Sequence, residues 1–193
     1  AIDLGAGEKE RGSLETLLSS PATKFEITVG KLMVVSLTGL VSGLISVVGI
    51  TAPMYFIDNI PDQIKSTVLE IISPFMIISV IFLMIPIAIF FASMLLSISF
   101  YARSFKEAQS LMGPLNIIII VPLMLTLGPG IEIDHVTALI PLINVGLLTK
   151  EILAGSVETI YFIETLFSLL FFAAIGIRFS VYWFNKENTI FRV

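Results

Sequence analysis

A chain of 193 residues that is 56% hydrophobic and only 13% charged, with a mean hydropathy of +1.00, lies outside the range of soluble domains, whose charged share is about 25%. At roughly 20 apolar residues per crossing, it is an integral membrane protein with room for about four to six spanning helices and no separate soluble domain. The net charge of −4 comes mainly from acids on one face and is no argument about nucleic acid, which is not expected as a partner, and the lack of cysteine excludes disulfides, thiolate catalysis and Cys-ligated metals.

The chain starts at Ala1 with neither an initiator methionine nor a signal-peptide pattern, so an upstream portion is expected. Residues 1–31 form a charged segment ahead of the first apolar run. Gly12-Ser13 start a short helix whose Leu14, Leu17 and Leu18 fall at i, i+3 and i+4 and share one face. Pro21 ends it. Thr23 to Glu26 then has capping-box spacing and leads through Lys31 toward the membrane. This predicts a short amphipathic helix at the cytoplasmic surface with its apolar face available, either to a partner or to lipid headgroups.

The first spanning run is Leu32 to Ala52, continuing weakly to Ile57. Its Ser36, Gly39, Gly43 and Ser46 make a small-residue stripe of the kind that packs helices closely, and Ser42 beside it is a candidate for lining a path. After the polar stretch Asp58 to Glu70, the uncharged run Ile71 to Ala102 is about 48 Å long as a straight helix. Ser73 suits its N-cap and Pro74 its first turn, and Pro86 predicts a kink. Leu111 to Gly128 carries Pro114 and Pro122 and stops at the turn Gly128-Pro129-Gly130. Ala138 to Leu148 is too short to span and reads as an external interfacial or re-entrant helix. The last run, Ile160 to Ile177, has Tyr161 and Phe162 at one end and Tyr182, Trp183 and Phe184 at the other, as interfacial anchoring predicts. Arg178 can snorkel to the headgroups.

The fold class is therefore all-α: a polytopic helical membrane protein with four spanning helices. The expected division is a cytoplasmic segment over 1–31, a membrane domain over 32–182 and a cytoplasmic tail over 183–193. Within the membrane domain the spans are about 32–57, 71–102, 111–128 and 159–182, with the external segment at 138–157. Basic residues set the orientation. Lys9, Arg11, Lys24, Lys31, Arg103, Lys106, Arg178, Lys186 and Arg192 fall on one side, against Lys65 and Lys150 on the other. Both termini are expected in the cytoplasm, the chain being a multi-pass protein of the cell membrane.

Candidate sites are few. Gly7 and Gly12 have the glycine spacing of a phosphate-binding loop, but Ser13-Leu14 stands where Lys-Ser/Thr is required, so no ATP chemistry belongs on this chain. His135 lies beside Glu132 and Asp134 with no second histidine to complete a metal set. Asn116, Asn144 and Glu164 are polar groups in apolar segments. The two asparagines suit bonds to neighbouring helices. Glu164 either reaches the headgroups or lies on a conduction path or dimer interface. The GLVSG stretch from Gly39 to Gly43 resembles the serine motif of rhomboid-type intramembrane proteases, which gives a protease as one alternative. A structural subunit or a transporter that does not use ATP is another.

The stretch GEKERGSLETLLSSPATKFEITVGK, Gly7 to Lys31, resembles the cytoplasmic loop between the second and third spanning helices of type-2 ABC exporter permeases, most closely their sodium-efflux branch. IPLINVGLLTKEILAG, Ile140 to Gly155, and WFNKENTIFR, Trp183 to Arg192, are similar to the external segment before that branch's last helix and to its cytoplasmic end. The resemblance implies a coupling helix held in a cleft of a separate ATP-binding subunit. Glu8, Glu10, Arg11, Gly12, Glu15, Thr16 and Leu17 would form the docking surface around the apolar Leu14, Leu17 and Leu18, with Pro21 at the turn back to the membrane. It further implies no cofactor on this chain, ATP and Mg on the partner, and a second permease copy or paralogue enclosing the path. The cargo it implies is sodium ion, exported from the cell.

Overall fold

A computed structural model of the chain describes residues 1–52, 74–128 and 130–186. The polar loop Asp58 to Glu70, the extension of the first span to Ile57, the Ser73 cap, Pro129 of the expected turn and the tail from residue 187, with Arg192, lie outside the described residues. The described residues are helical with no strand. A π-helical turn, Asp3–Gly7, runs into α1 (Glu8–Glu10) and α2 (Ser13–Leu18). Four long helices follow: α3 (Lys24–Thr51), α4 (Pro74–Tyr101), α5 (Phe105–Thr126) and, after a 3-10 turn at Thr137–Leu139 and the short α6 (Ile143–Ala154), α7 (Thr159–Asn185). All four are long and apolar enough to cross a membrane.

Two of the long helices begin earlier than their apolar runs because polar caps start them. At α3 the Thr23 hydroxyl accepts from the Glu26 amide at 3.2 Å, and the Glu26 carboxylate accepts from the Thr23 amide at 2.7 Å. This is the reciprocal capping box that the spacing predicts, and it places the helix start at Lys24. At α5 the Ser104 hydroxyl accepts from the Glu107 amide at 3.2 Å, while the Glu107 carboxylate accepts from the Arg103 amide at 2.7 Å. That cap carries the helix back to Phe105, ahead of Leu111. Pro86 sits inside α4, and Pro114 and Pro122 inside α5.

The bundle is built around α4, which packs most extensively on α7 and is flanked by α3. The N-terminal segment, the C-terminal ends of α4 and α7 and the start of α5 meet at one end, the stub end. The 3-10 turn and α6 cover the far end. Helices α4 and α7 approach closely. A Cβ added at Gly176 would lie 2.9 Å from the Ser93 Cβ, and along the same seam the Ser180 hydroxyl donates to the Ser93 carbonyl and shares a 2.8 Å bond with the Ser97 hydroxyl.

The small-residue stripe read on α3 sits differently. Ser36 is buried and donates to its own helix at the Leu32 carbonyl. Gly43 meets only the flexible tip of Met84, and Gly39 meets nothing within 4 Å. Ser46 is exposed and donates to the Ser42 carbonyl. Gly39 lines a shallow apolar groove of about 260 Å³ between α3 and α4, with Met84 and Phe91 among its walls. The long apolar faces of α3, α5 and α7, including Val41, Ile45, Ile117, Val121, Phe167 and Phe171, point outward, as a lipid solvent requires.

Candidate functional site

Residues 3–18 fold as a stub braced on the ends of three long helices. Its apolar side closes inward. Leu14 is 2% exposed and joins Ile27, Leu32, Ala92, Leu96, Phe100 and Phe184 in one core, against which Leu17 and Leu18 also pack. This corrects the expectation of a wholly available apolar face: Leu14 buries against the chain's own α3, α4 and α7, and Leu17 and Leu18 are partly covered by the same core, because those helix ends offer a dry surface that solvent or headgroups do not.

Polar contacts fasten the stub more firmly. Lys31, 7% exposed, pairs with the Glu8 carboxylate and donates to the Leu4 carbonyl at 2.5 Å. Its ammonium also lies 5.9 Å from the ring centroids of both Phe100 and Phe184, within cation–π range. Lys9 donates to the Phe100 carbonyl and, at 3.0 Å, to the Ala102 carbonyl. Those carbonyls sit at the end of α4, where the last turn lacks partners and carries partial negative charge. Burial pushes the Lys9 ammonium down to about 8, opposed by the nearby Glu107 carboxylate. The Ala6 amide donates to the Ser99 hydroxyl at 3.0 Å, and that hydroxyl donates to the Ile2 carbonyl at 3.0 Å. Gly5 allows this approach, since a Cβ there would be 2.9 Å from the Ser99 Cβ.

The outward side of the stub is charged and small. Glu10, Arg11, Gly12, Ser13, Glu15 and Thr16 are exposed, as is Pro21 after the helix. Gly12 takes φ +70 to reverse the chain between α1 and α2, a conformation that glycine adopts without strain. Arg11 pairs with Asp3 at 2.7 Å, which raises the guanidinium and lowers the carboxyl from their ordinary values. Hydroxyls of Ser19 and Ser20 donate to the Thr16 and Leu17 carbonyls, both at 2.7 Å, finishing α2. The docking residues read from the sequence thus divide into two sets. Glu10, Arg11, Gly12, Glu15, Thr16 and Pro21 face out, while Glu8, Leu14, Leu17 and Leu18 hold the stub in place.

The remaining candidates lie elsewhere. Ser42 and Asn116 are exposed on α3 and α5. Asn144 is fully buried in α6, donating to the Ala138 carbonyl at 3.0 Å. Glu164 accepts from, or pairs with, His135 Nδ1 at 2.9 Å at the far end of α7. No hydrogen bond joins Ser42 to His135 among the described residues. Sequence reasoning missed Lys9, Lys31 and Ser99 as fastening groups, since their partners lie 23 to 97 positions away. The α4–α7 seam did leave a signal: Ser93 and Ser97 are four apart, as are Gly176 and Ser180, a small-xxx-small pattern on each helix.

The model of a family described as ABC-2 family transporter protein matches residues 1–189. The chain is 30% identical over 195 residues to the ABC transporter permease protein NatB of Bacillus subtilis (strain 168), a match covering 98% of this chain and 49% of that protein. It therefore spans about half the length of the curated relative it matches. No solved structure matches it.

Proposed function

The chain belongs to the ABC-2 transporter family, a family of multi-pass membrane proteins, and from that premise we propose that it acts as the permease part of an ABC exporter. A separate ATP-binding subunit docks under the stub in this reading and holds the ATP and Mg. Two permease copies, or a copy and a paralogue, enclose the path, with both termini of this chain in the cytoplasm. The observation that carries the reading is the two-sided stub: an exposed charged rim from Glu10 to Thr16, fixed from behind to the long helices.

Coupling is mechanical. Closure of the ATP-bound partner pair pushes on the rim, and the push divides. The Glu8–Lys31 pair and the Leu14 contacts deliver it to α3, while Lys9 delivers it to the end of α4. Packed helices shift as units rather than deform, so a small displacement of the stub moves both. Ser42 and Asn116, exposed on the surface of a single copy, are positions that a second copy could enclose. Sodium ion, the cargo implied by the likeness of residues 7–31 to the sodium-efflux branch, is the first substrate to test.

The test is isolation of the tagged protein from native membranes. A Walker-motif ATPase co-isolates with the wild type. The double charge reversal Arg11→Glu with Glu15→Lys loses it while the chain still inserts in the membrane. Isolation that never brings an ATP-binding subunit contradicts the proposal.

A further inference from the structure

An open groove of about 520 Å³ lies at the stub end, lined by Ser97, Ile98 and Tyr101 of α4, Leu111 of α5, and Phe179 and Trp183 of α7. It exists because α5 is held by its ends. One end rests on the Asp3–Gly7 turn and α4, the other on α6, and α5 makes little contact with α7. A Cβ at Gly146 of α6 would be 3.0 Å from the Thr126 Cβ, so the far attachment is close. The wedge between α5 and α7 is left open at the molecular surface.

The chemistry of the groove selects its occupant. Its walls are aromatic: Tyr101 meets Trp183 edge-on with centroids 4.8 Å apart, and Phe179 meets Trp183 at 5.9 Å. Of its two lining hydroxyls, that of Ser97 is committed to the α4–α7 seam through its bond with Ser180, and that of Tyr101 belongs to an exposed side chain. Apart from the Ser97 and Tyr101 hydroxyls and the Trp183 indole N–H, the lining is hydrocarbon, so the interior suits an acyl chain. The mouth carries a cation at Lys186, with Arg103 close by in the chain. The Lys186 ammonium lies 5.1 Å from the Trp183 centroid, and Arg103 is exposed two residues beyond Tyr101. The nearby carboxylates of Glu107 and Glu10 accept the main-chain N–H groups of Arg103 and Phe105.

We propose that this groove binds an anionic phospholipid, with an acyl chain along Tyr101, Phe179 and Trp183 and the headgroup held by Lys186 and Arg103. Basic residues beside an apolar cleft at the membrane surface favour such headgroups, and a zwitterionic lipid meets the same walls without the charge term. The inference requires only that the chain sits in a bilayer and does not rest on its transport role.

Trp183 is the single tryptophan of the chain and lines the groove, so it reports occupancy directly. The chain is reconstituted in phosphatidylcholine vesicles containing a small fraction of either dibrominated phosphatidylglycerol or dibrominated phosphatidylcholine, and quenching of Trp183 emission is read. Phosphatidylglycerol is expected to quench with a relative binding constant at least about fivefold higher, the share expected from one basic residue. Lys186→Gln and Arg103→Gln each reduce that preference by about fivefold. Lys150→Gln, at the far end, leaves it unchanged. Unaltered far-ultraviolet circular dichroism and thermal unfolding verify that the variants keep the fold. Equal quenching by the two lipids, which marks annular lipid only, overturns the proposal. So does quenching by neither, which marks a polypeptide covering the groove.

Discussion

Removing the Glu8 carboxylate leaves the Lys31 ammonium with the Leu4 carbonyl as its hydrogen-bond acceptor, in a site 7% exposed. Glu8→Gln is therefore expected to lower stability by about 1.5–3 kcal/mol, the range for hydrogen bonds to charged groups, read as a fall in the unfolding midpoint in detergent. Adding Lys31→Met restores part of the loss, because the stranded charge is then gone. Lys9 gives a pH signature of opposite kind. Burial lowers it from 10.5 to about 8, so between those values the folded chain has released a proton that the unfolded chain still holds. Stability contributed by this group rises with pH through that window and is flat below about 8. The wild-type unfolding temperature should climb relative to Lys9→Met as pH is raised above about 8, and parallel curves would show that Lys9 does not titrate there.

At the scale of elements, the α4–α7 seam and the α3 stripe make a contrast that one substitution each can test. Gly176→Ala forces its new methyl into Ser93 and is expected to cost about 1–3 kcal/mol as an overpacked contact. Gly39→Ala meets nothing within 4 Å and should leave stability unchanged or slightly raised, since alanine is the better helix former. Thermal unfolding of the two variants side by side checks both. The elements themselves were largely legible in the sequence. Four apolar runs imply four long helices, and Thr23 with Glu26 announces the start of α3, because capping depends on neighbours three residues apart. The inward turn of Leu14, Leu17 and Leu18 was not legible: periodicity shows that a helix has an apolar face but not what covers it. The Glu8–Lys31 pair was hidden for a similar reason, since it joins residues from different helices, whereas the Ser93–Ser180 seam left its small-xxx-small spacing on each helix without saying which helices pair.

For the whole molecule, the proposed coupling requires that the stub, α3 and α4 move together as one end of the bundle when an ATP-hydrolysing neighbour grips the rim. Its charged rim should therefore face the cytoplasm and become inaccessible when that neighbour docks. The absence of native cysteine makes the most direct measurement simple: Thr16→Cys, on the exposed side of α2, is labelled with a membrane-impermeant maleimide in intact cells and in inside-out vesicles, with and without the ATP-binding subunit. The account predicts no labelling from outside intact cells, rapid labelling in vesicles stripped of the subunit, and protection when it is restored. Labelling of Thr16→Cys from outside, or labelling in vesicles at the same rate whether or not the subunit is present, would contradict it.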